Sequence, residues 1–109
     1  MPQTVSDAEV QSKKQLLTQR REALLREDRP GFQPGEFVRW KEGLKTKRRP
    51  LEGEPAVVIE VLKEPIYDPK DEVGSTYFRE PLDLILGVLG DEGELISYYF
   101  DKRRFERCP

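Results

Sequence analysis

The sequence predicts a mainly β fold with an N-terminal α-helix, and three observations carry that prediction. Residues 6–28 contain no Gly or Pro and are rich in Leu, Gln, Lys, Arg, Glu and Ala, all good helix formers. After Pro30, five short apolar runs follow one another, separated by Gly, Pro and Asp and showing no helical spacing. The apolar supply is also thin: of 109 residues, 36% are hydrophobic and 37% charged. A small core of this kind is enclosed economically by five strands closed into a barrel, because closure leaves less edge to protect.

The helix is expected over 6–28 as an N-terminal arm (residues 1–29) ahead of a β domain (30–109). Ser6 followed by Glu9 has the capping-box spacing, and Pro30-Gly31 terminates the run. Val10, Leu17, Leu24 and Leu25 share one stripe, interrupted by Lys14 and Arg21, so the helix is expected to lie by its Leu face on the domain or on a second copy.

The first strand is expected at 37–41, where Val38 and Trp40 alternate with charged neighbours. A long connection follows, punctuated by Gly43, Pro50, Gly53 and Pro55. Residues 56–62 form the clearest strand, β-branched on both faces, and 64–76 read as an acidic loop. Strands at 82–89 and 94–100 flank the hairpin turn Gly90-Asp91-Glu92-Gly93, and 103–107 completes the five. The expected inward set is Val38, Trp40, Val57, Ile59, Val61, Leu84, Leu86, Val88, Ile96 and Phe105.

Gly35-Glu36-Phe37-Val38, with Gly43 eight residues after Gly35 and Lys45 and Lys47 beyond it, resembles the KOW-type opening of SH3-like small barrels. The stretch 44–53 stands as an insertion in that pattern. Tyr99-Phe100-Asp101 followed by Arg103-Arg104-Phe105 is similar to the end of such barrels, where a tight turn leads into the last strand. The resemblance implies a five-strand SH3-like barrel, a fold used to bind proteins or nucleic acid.

Little in the chain points to catalysis. With no His and only Cys108, the usual zinc clusters, Ser/His and Cys/His nucleophile systems and internal disulfides are excluded. Asp68, Asp71 and Glu72 lack the spacing of a calcium loop. Gly87, Gly90 and Gly93 cross a hairpin and do not open a helix, so they make no phosphate cradle. Ser75, Ser97 and Tyr98 have no base among their sequence neighbours. The expectation is a non-enzyme without cofactor or metal. No stretch approaches the roughly 20 apolar residues of a membrane span and Met1–Val10 lacks a signal-peptide core, so a cytoplasmic protein that avoids membranes is expected.

Charge is polarised along the chain: the net values for 1–29, 30–51, 52–100 and 101–109 are +1, +4, -9 and +2. Lys41, Lys45, Lys47, Arg48 and Arg49, together with Lys102, Arg103, Arg104 and Arg107, are a candidate basic rim. With Tyr98, Tyr99 or Trp40 as stacking faces, such a rim suits nucleic acid. A second candidate surface sets Tyr67, Tyr77 and Phe78 among Glu64, Asp68, Asp71, Glu72 and Glu80, suited to a basic protein. The expected function is a protein-interaction or adaptor module, with a protein partner or self-association. Nucleic-acid binding through the 41–49 loop and the 102–107 tail is the alternative.

Overall fold

The computed structural model describes residues 4–67 and 79–109. It is mainly β: helix α1 (Asp7–Leu25) precedes strands β1 (Phe37–Trp40), β2 (Ala56–Ile66), β3 (Leu82–Leu89), β4 (Leu95–Phe100) and β5 (Phe105–Arg107). All pairings are antiparallel, in the order β4-β3-β2-β1-β5, so the sheet is open and β4 and β5 are its edges. Among the described residues, no helix is long and apolar enough to cross a membrane.

Ser6 caps α1 as its spacing predicts, its hydroxyl accepting from the Glu9 amide at 3.2 Å. The helix ends at Leu25, earlier than the expected residue 28, and has no buried residue. Within the chain the Leu stripe is only partly covered: Leu17 is 69% exposed and Leu25 49%, while Val10 and Leu24 are half-buried. Attachment is polar, made at the last turn by Lys41, whose ammonium donates to the carbonyls of Ala23 (2.5 Å) and Arg26 (2.6 Å). A cation there supplements the 3.3 Å bond that the Ala23 carbonyl accepts from the Arg26 amide, gives the Arg26 carbonyl a donor, and meets the negative end of the helix dipole.

One side of the sheet carries the core: Val38, Trp40, Ala56, Val58, Leu84, Leu86, Val88, Phe100 and Phe105, with Phe32 packed on from the preceding loop. Trp40 stacks on Phe105 at 4.3 Å and meets Phe100 edge-on at 5.6 Å. Its Nε1 donates to the Pro50 carbonyl at 2.6 Å, so the 41–55 connection is tied over the aromatic cluster. Between β4 and β5, the 3₁₀ turn Lys102–Arg104 is capped by Asp101, which accepts from the Arg103 amide at 2.9 Å. The last strand is therefore shorter than the expected 103–107.

The inward set needs one correction. Val57 and Ile59 do not face the core; Ala56 and Val58 do, with Ala56 opposite Val38 and Val58 opposite Leu86. A bulge between Val58 and Glu60 then re-phases the strand, which brings Val61 back against Leu84 and the core. The strand is apolar on both faces, so alternation alone does not choose its inner side.

Candidate interaction surfaces

The bulge and the register together build an apolar surface on the outer face of the sheet. Phe37 lies opposite Val57, Val57 opposite Gly87, and Gly87 opposite Ser97. Directly opposed residues share a face. One step away on the same face, Ile85 lies opposite Tyr99 and Leu89 opposite Leu95. Gly87 is the floor of this patch: a methyl group added there would come within 2.7 Å of Leu95 Cδ1, 3.0 Å of Val57 Cγ1 and 3.4 Å of Ile59 Cδ1. Side chains from the two neighbouring strands, β2 and β4, therefore converge over one glycine of β3. Phe37 is 59% exposed, Ile59 39% and Leu95 65%. Apolar exposure of this kind makes the face a candidate for interaction. At the Ile85 end, Glu60 lies opposite Ile85 and adds an exposed carboxylate with no ion pair among the described residues.

The predicted basic rim is only partly assembled. Lys41 departs from it: at 2% exposure it is among the most buried side chains, and burial first, then the nearby Arg26, holds its ammonium below the usual lysine range. Lys45 donates to the carbonyl of Lys47, and Lys47 to that of Tyr99 at 2.9 Å, with its ammonium 5.0 Å from the centre of the Phe100 ring. Arg49 donates to the carbonyl of Leu89 and pairs with Asp91 at 2.7 Å, an exchange that raises its own pKa and lowers that of Asp91. Lys47, Arg48, Arg49, Tyr98 and Phe100 line an open cleft of about 250 Å³.

The basic tail meets the loop through Arg104, whose guanidinium donates to the Leu44 carbonyl at 3.2 Å and whose own carbonyl accepts from the Lys41 amide at 2.8 Å. Its cations are otherwise held by carboxylates. Arg104 pairs with Glu80, Arg103 with the buried Asp101 at 2.7 Å, and Arg107 with Glu36 at 2.7 Å. Lys102 approaches Asp83 at 3.9 Å. Of the cations predicted for the rim, Arg48 alone is exposed and carries no hydrogen bond or ion pair among the described residues.

The predicted acidic surface is described only in part. Tyr67 and Glu64 are exposed, and Glu80 is engaged by Arg104. Asp68, Asp71, Glu72, Ser75, Tyr77 and Phe78 lie outside the described residues. Among the described residues, no group of three or more His, Cys, Asp or Glu side chains is placed to hold a metal ion.

The outer face escapes sequence reasoning because Val57 and Ile59 read as core by composition. The signal lay in the double-sided apolar run of 56–62, which supplies more apolar side chains than one face can bury.

No protein-family model matches this chain, and neither a curated protein nor a solved structure shows significant similarity to it.

Proposed function

We propose that this protein is a non-catalytic protein-interaction module on an SH3-like small-barrel plan, with the outer face of its sheet as the binding surface. The strand order β4-β3-β2-β1-β5, the long bulged β2 and the 3₁₀ turn leading into β5 support the barrel plan. The observation that carries the function is the exposed apolar patch over Gly87, formed by Phe37, Val57, Ile59 and Leu95. Its chemistry suits a protein that presents apolar side chains and places a cation at the Glu60 end. Apolar anchors supply the affinity and the rim charge sets orientation. The nucleic-acid alternative has less support, because carboxylates or backbone carbonyls already engage most of the cations it needs.

The test compares three immobilised proteins: the wild type, Phe37→Asp/Ile59→Asp on the face, and Lys47→Glu/Arg48→Glu in the cleft. The reading expects a discrete protein retained by the wild type and the cleft variant and lost from the face variant. Salt-sensitive binding of labelled nucleic acid that disappears in the cleft variant would replace it with the alternative.

A further inference from the structure

We infer that β4 pairs with the β4 of a second copy, antiparallel about a two-fold axis at Ser97. The phase of the β3–β4 hairpin fixes which groups face outward. The Gly90 amide donates to the Glu94 carbonyl at 2.9 Å, so bonds are exchanged at Val88/Ile96, Leu86/Tyr98 and Leu84/Phe100. The amides and carbonyls of Leu95, Ser97 and Tyr99 therefore point away from β3 along the free edge. The Tyr99 carbonyl bears this out by accepting from Lys47, a donor outside the sheet.

This edge lacks the usual protection. Its sequence, Leu-Ile-Ser-Tyr-Tyr-Phe, contains no charge and no Pro, and its pairing with β3 shows no bulge. Exposed edges normally carry at least one of these devices. Among the described residues, Lys47 alone donates to its outward-facing groups, through a single carbonyl.

The second copy is the occupant because the edge is complementary to itself. A two-fold axis at Ser97 sets Ser97 against Ser97, and Leu95 against Tyr99 in both directions. All the outward-facing groups then meet partners in one register. The same axis places Glu94 of the second copy opposite Phe100, beside the Lys47 ammonium that lies over that ring. Lys47 thus exchanges a carbonyl for a carboxylate, while the Tyr99 carbonyl accepts from the Leu95 amide of the second copy. The outer apolar faces become continuous, with Leu95 and Tyr99 adjoining across the axis. This pairing goes beyond the proposed binding face and is separable from it, since Ile59→Asp alters the face on β2 and leaves the backbone groups of the β4 edge intact.

Light scattering and sedimentation of the full chain over a concentration series test the pairing. The wild type is expected to form a dimer. Ser97→Pro should weaken it about tenfold or more, since the amide is lost from both copies. The proline removes no bond within the monomer because the Ser97 amide faces outward, and unchanged circular dichroism would verify that. Leu95→Lys, which sets a charge against Tyr99 of the second copy, should weaken the dimer independently. In a Cys108→Ser background, Ser97→Cys should give a disulfide-linked dimer on mild oxidation, as opposed Cα atoms on an antiparallel ladder lie within disulfide reach. A wild type that stays monomeric up to about 1 mM, a dimer indifferent to Ser97→Pro and Leu95→Lys, or a Ser97→Cys variant that does not crosslink would overturn the inference.

Discussion

The ammonium of Lys41 donates to the carbonyl of Ala23 at 2.5 Å, so a buried side chain at the end of β1 caps the helix that precedes it by sixteen residues. Lys41→Met keeps the length and removes the donor. The Arg26 carbonyl then loses its side-chain donor and the Ala23 carbonyl keeps the 3.3 Å bond from the Arg26 amide, at a cost of about 1–3 kcal/mol. The urea midpoint should fall by that amount, and amide exchange should accelerate first in the last turn of α1.

The two faces of the sheet should respond differently to substitution. Leu84 is fully buried, and Leu84→Ala should cost about 2–5 kcal/mol. Phe37→Asp and Ile59→Asp alter exposed side chains and should change stability by no more than about 1 kcal/mol. Chemical denaturation of the three variants checks the contrast.

Burial raises the pKa of Asp83 above the ordinary aspartate value of 3.8, against the opposing pull of the Lys102 amide, whose hydrogen bond it accepts at 2.9 Å. The folded state thus binds a proton more readily than the unfolded chain, and this group's contribution to stability declines as pH rises through its folded pKa. Asp83→Asn keeps an acceptor for that amide and removes the ionisation. The variant should melt higher than the wild type at neutral pH, and the difference should shrink as pH falls toward 3.8. Thermal melts across that range check the sign.

Hydrogen bonding to Arg107 lowers the pKa of Glu36, with the Gln33 amide adding to the effect. The pair joins the loop before β1 to β5. Its contribution is present above the unfolded pKa of about 4.5 and is lost as pH falls through the lower folded value. Glu36→Gln should therefore flatten the acid limb of the stability profile, opposite in sense to Asp83→Asn.

The helix start, the five strands and the Gly90–Gly93 hairpin are legible in the sequence because each depends on local chemistry: the Ser6 hydroxyl, period-two alternation, and a glycine at positive φ (79°) in the turn. The facing of β2 is not, since Val57 and Val58 are chemically alike and only the register with β1 and β3 separates them. Lys41 illustrates the same limit. Its sequence neighbours suggest a solvated cation, and its role depends on helix carbonyls fifteen and eighteen residues away. The outer face stayed hidden because it is built from side chains that composition assigns to a core.

The central claim, that the outer face is the binding surface, is tested most directly by a photo-crosslinking amino acid placed at Ile59, beside a control at Arg48 in the cleft. The account predicts a discrete protein adduct from position 59 that disappears when Phe37→Asp is added, and none from position 48. Adducts from position 48 with none from position 59 would contradict it.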